Sequence, residues 1–396
     1  MGGTPSELGR PATTMPGMTS RGAAALQRRI EDDPLAGPLP PAELALLRRL
    51  PKAELHLHLD GSLRPATALE LARQRGLDDG LSVDAMADRL VGPAQAADQA
   101  ELLLAFDLPV AILQDAESLW RAAYELVEDV ARDGTRYVEI RWGPALHRRA
   151  GLSLRAGMAA VTAGTRSGAA AVAASGAEIV VRLIAVALRS HDPDENVDVA
   201  RAAARCIGDG LTGFDLAGPE AACPDPLAHA RAFHVAREAG LGISVHAGEW
   251  GGAAQVRRAL AVDPARIAHG APAVDDPALV AELRSRGVTL DLCPTSNTQA
   301  GIFPTYRDHP LGRLVRAGVP VTLSTDDRTV SALTLTTEYA RARASLGLTL
   351  RELWRLDRHA LEVAFLHHDE ALRTSLLAEF DAFAVSEPLL AEGQAG

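Results

Sequence analysis

Two histidines two residues apart, His56 and His58, are the first residues of this chain that could do chemistry. They lie in AELHLHLD at 53–60, which reads as a strand, and residues two apart on a strand share a face. Two imidazoles on one face can offer neutral nitrogens to one metal ion. Further along, His246 precedes Glu249 in the stretch HAGE. His269 closes a short apolar run before Gly270, and Asp326 and Asp327 stand side by side at the end of another. Adjacent buried carboxylates repel and raise each other's pKa unless a cation or donors compensate. Each feature alone has an ordinary reading, such as histidines satisfied by hydrogen bonds. Together, three histidines and one carboxylate suit a zinc-class divalent ion with a position left open for water. Such an ion lowers the pKa of its water towards about 7, which is hydrolytic chemistry. The chain has no GxxxxGKS/T and no GxGxxG between a strand and a helix, so no phosphate loop or dinucleotide site is implied.

The elements that must carry these residues follow a regular rhythm. Eight strand-like runs fall at 53–60, 136–142, 180–188, 211–218, 242–249, 265–270, 288–297 and 319–327. Helical stretches lie between them, at 116–133, 226–239 and 276–286, each with a glycine just beyond its end. Further helices are expected at 334–346 and 350–367, and His367 and His368, far downstream, are expected on a solvated helix face. Eight βα units close a (β/α)8 barrel of the TIM type, whose active site sits at the C-terminal ends of the strands. Most of the reactive residues fall there. Strand periodicity also puts Asp60 on the face of His56 and His58, although it could instead cap a helix starting near Leu63. The long segment 82–115, with Leu102, Leu103, Leu104 and Phe106, reads as ordinary packing or as a hydrophobic lid.

Composition narrows the field. The chain has 396 residues, 47% of them hydrophobic, enough for one large domain over 41–396. Residues 1–40, rich in Gly, Pro, Thr and Ser, read as a disordered extension. A net charge of -11 argues against nucleic acid or an anionic membrane as partner and leaves room for a small neutral substrate. Three scattered cysteines form no disulfide framework, and the start of the chain has no stretch fit for a signal peptide or span, so a cytoplasmic location is expected. Lys52 is the only lysine; arginine fills the other basic positions amid abundant alanine, which reads as coding bias.

Seven stretches carry a resemblance: PKAELHLHLDGSL at 51–63, YVEIRWGP at 137–144, GFDLAGPE at 213–220, SVHAGE at 244–249, RIAHG at 266–270, CPTSN at 293–297 and STDDRTVS at 324–331. In this order they resemble the adenosine deaminase family of zinc hydrolases. The resemblance implies one zinc ion held by His56, His58, His246 and Asp326. It implies Glu249 as the acid that protonates purine N1, and His269 as base or electrostatic partner. Asp326 would also orient the attacking water. Gly218 would contact N3, Asp327 would share a proton with N7, and Asp60 would accept from a ribose hydroxyl. Two departures stand out: Pro219 after Gly218, and bulky Trp250 after HAGE. Adenine and aminodeoxyfutalosine are the rival substrates. A non-catalytic nucleoside-binding protein is the rival of another class. The other zinc deaminase signature, HxE with PCxxC, is absent.

Overall fold

The computed structural model describes residues 39–391. The expected disordered extension over 1–40 thus falls, for residues 1–38, outside the described residues. Eight parallel strands follow one another around the barrel in chain order: β1 (Lys52–His58), β2 (Thr135–Trp142), β3 (Val180–Leu188), β4 (Leu211–Ala217), β5 (Gly242–Ala247), β6 (Arg266–His269), β7 (Thr289–Leu292) and β8 (Val321–Leu323). The seam between β8 and β1 is closed just beyond β8. His58 N donates to Asp326 O at 2.7 Å, and Asp326 N donates to His56 O at 3.0 Å. The closing rung therefore also brings Asp326 between His56 and His58.

The strands are short buried runs, many rich in Val, Ile and Leu, as strands covered on both faces must be. On β1, Ala53 and Leu55 pack outward against Leu361 and Phe380 of the helices Leu350–Val363 and Glu370–Ser386. The alternate residues Lys52, Glu54, His56 and His58 form the other face. The helix Ala116–Arg132 shows how the outer layer forms. Asp115 and Ser118 make a reciprocal cap, and Leu119, Ala122, Ala123, Leu126, Val127 and Val130 form one buried stripe. It stops at Gly134, whose φ of 87° is left-handed and where a Cβ would come 2.9 Å from Lys52 Nζ.

A buried layer of charge underlies the histidines. Arg141 donates to Asp215 Oδ2 at 2.8 Å and to Leu55 O at 2.7 Å, and Asp291 lies 3.7 Å from it. Arg266 pairs with Glu139 and stacks 3.9 Å over the Phe365 ring. Each of these five charged side chains is wholly buried. Breaking such a pair from one side costs about 3–5 kcal/mol, so the layer resists piecemeal change.

Several expected spans end early, among them 319–327, whose strand stops at Leu323, and 350–367, whose helix stops at Val363; three more end for a clear local reason. Pro294 has no N–H to continue β7 and instead starts the helix Pro294–Gln299. Gly248, with φ 83°, turns the chain out of β5 before Glu249. Asp60 belongs to a 3-10 turn, Asp60–Ser62, not to β1, so strand periodicity is not what places it; nor does it cap the following helix, Pro65–Gln74, whose N-cap is Arg64. His367 and His368 lie in a turn beyond the helix, both exposed, with their Nε2 atoms at Gly240 O. Among the described residues no helix is long and apolar enough to cross a membrane.

Candidate active site

His56 and His58 project from β1, His246 from the end of β5, and Asp326 from the rung that closes the barrel. His56 Nε2 lies 3.3 Å from His58 Nε2 and 3.0 Å from Asp326 Oδ1. His58 Nε2 lies 3.2 Å from His246 Nε2 and 3.3 Å from Asp326 Oδ1. Atoms about 2.0 Å from a common centre in a tetrahedron stand about 3.3 Å apart, so the four donors fit one small divalent ion. All four ligand atoms lie within 4.8 Å of one another. Burial pushes the His58 imidazole down to about 3 and that of His56 well below its usual range. Both are therefore neutral near pH 7 and able to ligate.

The supports around these four were not foreseen from the sequence. Asp215 Oδ2 lies 2.8 Å from His246 Nδ1, and Ser296 Oγ donates to Asp326 Oδ2 at 2.7 Å. Such outer partners fix ring orientation and ligand basicity. Glu220 does the same for the turn that carries Glu249: its carboxylate accepts from the N–H groups of Gly248 (2.7 Å), Trp250 (2.7 Å) and Gly251 (3.2 Å). The signal was present, since Asp215 and Glu220 lie inside GFDLAGPE and Ser296 inside CPTSN. His269 and Asp326 adopt φ of 65° and 66°, in the left-handed region. Each costs on the order of 1–3 kcal/mol and persists only where the surroundings enforce it.

Next to this cluster lies a cavity lined by Asp60, Gly218, Glu249, His269, Asp326 and Asp327, with apolar walls from Leu146, Val186, Leu188 and Val330. The cavity thus gathers all three expected substrate contacts beside three of the expected metal ligands. Burial, reinforced by the charges of Asp326 and Glu220, raises the Glu249 carboxyl well above its usual range. Burial first, then Asp326, Asp60 and Glu249, does the same to Asp327. Burial lifts Asp60 to about 6. Both shifts favour the protonated form of Glu249 and Asp327, the form that can donate. Gly61 must stay glycine, because a Cβ there would come 1.7 Å from Asp327 Oδ1. Cys293 is fully buried.

The segment 82–115 crosses the cavity mouth. Gln99 Nε2 donates to Gly218 O at 3.3 Å, and Ala96 N donates to Gln299 O at 2.6 Å. Leu102, Leu103 and Phe106 line the cavity, whereas Leu104 is 64% exposed. Trp250 lines the cavity and packs against the cluster of Ala96, Leu102 and Ala300, under the crossing segment, so it shapes the pocket wall.

A family model described as Adenosine deaminase matches residues 51–382. The chain belongs to the adenosine deaminase family. The deaminase is 37% identical over 350 residues to the adenosine deaminase of Mycobacterium avium (strain 104), covering 84% of its own chain and 95% of that one. It resembles the crystal structure of the Arabidopsis N6-mAMP deaminase with a TM-score of 0.75 at 30% identity, covering 85% of its own chain and 99% of the other. It also resembles an amidohydrolase from Burkholderia ambifaria with bound zinc, with a TM-score of 0.77 at 25% identity over 89% and 96% of the two chains. The deaminase is thus a hydrolase acting on the C–N bond of a cyclic amidine.

Proposed function

We propose that the deaminase converts adenosine, and 2′-deoxyadenosine, with water to inosine and ammonia, using one zinc ion held by His56, His58, His246 and Asp326. The observation that carries this reading is the Glu249 carboxyl, raised well above its usual range, in the same cavity as that donor cluster. Zinc, when bound, makes a hydroxide-like nucleophile available near neutral pH. The rest falls to the chain. Glu249 donates a proton to purine N1, which makes C6 electrophilic. Asp326 and His269 hold the water against C6. Asp327, being protonated, donates to N7, an acceptor that a bare carboxylate would repel. The Gly218 N–H serves N3, and Asp60 accepts from a ribose hydroxyl.

The Arabidopsis neighbour is named for a nucleotide substrate. Here no lysine or arginine is among the described residues lining the cavity, while Asp60 brings a carboxylate that is mostly ionised at pH 7. A phosphate beside it would meet poorly screened repulsion. This favours a nucleoside over a nucleotide, and the ribose contact favours a nucleoside over a free base. The expected order of kcat/KM is adenosine and 2′-deoxyadenosine highest, adenine low and AMP lowest. Asp60→Asn should narrow the gap between adenosine and AMP. Loss of absorbance near the adenine band, followed with these four compounds and aminodeoxyfutalosine, measures it. If AMP, adenine or aminodeoxyfutalosine ranks first, the substrate assigned here is wrong.

A further inference from the structure

Behind His269 lie two buried side chains, Asn297 and His309, that the reaction as described does not use. Leu311 N, the first amide of the helix Leu311–Arg316, donates to His309 Nδ1 at 3.2 Å. His309 Nε2 lies 3.0 Å from Asn297 Oδ1, and Asn297 Nδ2 lies 2.9 Å from His269 Nδ1. His309 is 4% exposed, Asn297 0% and His269 1%, so water does not compete for these bonds. The helix-start amide has no partner within its own helix and must donate outward. Its direction is therefore fixed, and it fixes the rest.

The first atom in line, His309 Nδ1, must be an acceptor. A neutral His309 then carries its proton on Nε2 and gives it to Asn297, which must turn its oxygen to His309 and its amide to His269. Turning the Asn297 amide over would require His309 to accept at Nε2 and hold a proton at Nδ1, against the Leu311 N–H: two donors face to face. His269 Nδ1 must accept in turn, which leaves its one proton on Nε2. We propose that His309 and Asn297 are positioning residues that lock His269 as the Nε2–H tautomer, so that His269 serves the reaction as a hydrogen-bond donor and not as a base.

Geometry places that proton where it matters. His269 Nε2 lies 3.8 Å from Glu249 Oε2 and 3.8 Å from Asp326 Oδ2, between the proton donor and the carboxylate that holds water. Without a lone pair at Nε2 it cannot take the proton of the attacking water. It can steady the oxygen that gains negative charge, as donors aimed at developing charge do. Burial pushes His309 down to about 3 and His269 down to about 4, in keeping with two neutral rings.

The catalytic half of this inference rests on the proposed function; the tautomer does not. Long-range 1H–15N correlation spectra of the metal-loaded enzyme report which ring nitrogen bears the proton, with the His269 signal assigned by its loss in His269→Gln. The wild type and His309→Gln, which keeps a donor, should show Nε2–H. Asn297→Asp, which can only accept, should move the proton to Nδ1. His309→Leu, a second route should the aspartate variant not fold, should leave a mixture. In Asn297→Asp, kcat should fall roughly 10–100-fold with KM within about threefold and metal content unchanged, while His309→Gln keeps most of the activity. A proton on Nδ1 in the wild type, or an unchanged spectrum in both Asn297→Asp and His309→Leu, overturns the lock. Unchanged kcat with a switched tautomer overturns the donor role. A failed adenosine assay with an Nε2–H wild type overturns the substrate alone.

Discussion

Glu249→Gln is expected to bind metal and nucleoside as the wild type does and to turn over at least about 10²–10⁴-fold more slowly, the range typical of acid–base groups. The variant is close to isosteric, and the surroundings already disfavour the charged form of the carboxyl it replaces, so the electrostatics of the cavity change little. What disappears is the proton that N1 must receive. The turn itself stays in place, because it is held through backbone amides bonded to Glu220 and not through the Glu249 side chain. The wild type should in turn lose activity as pH rises through the raised Glu249 pKa, since the ionised form has no proton to give. Near-normal turnover in the glutamine variant would rule out the acid role; loss of bound metal would make Glu249 a ligand instead.

His246→Ala should abolish both bound zinc and activity. The substitution removes one of four ligands, and His246 is one of three donors, with His56 and Asp326, that lie within 3.3 Å of His58. The fold should survive. Asp215 loses one partner but keeps Arg141 at 2.8 Å, so no buried carboxylate is left alone. Metal analysis of the purified variant, with circular dichroism to check folding, decides the matter. Zinc at full occupancy with activity intact would break the ligand assignment.

Much of the barrel was legible because its strands are buried on both faces and read as compact apolar runs between helices. The ends of strands were less so. The run at 288–297 hides a proline that stops β7 and begins a helix, and the run at 319–327 hides the left-handed Asp326. Asp60 reached the cavity by a 3-10 turn that alternation does not describe. The reactive residues themselves stood out because histidine and acid at strand ends are conspicuous. Their supports did not: Asp215 is 31 residues from His246 in sequence, and His309 acts on His269 through Asn297, a path no local spacing encodes. Leu102, Leu103 and Phe106 face the cavity through contacts distant in sequence, which local spacing within 82–115 does not encode.

The one lysine of the chain ends in the bottom of the barrel. Lys52 is wholly buried, and its ammonium donates to Leu50 O at 2.9 Å and Asp133 O at 2.7 Å. Burial lowers its pKa, which would make it a keen nucleophile if any reagent could reach it. In the native enzyme none can, so acylating reagents that target side-chain amines should leave residues 39–391 untouched. Modification at Lys52 then becomes a clock for global opening: its rate under increasing urea, read by mass spectrometry, should follow the unfolded population and nothing smaller.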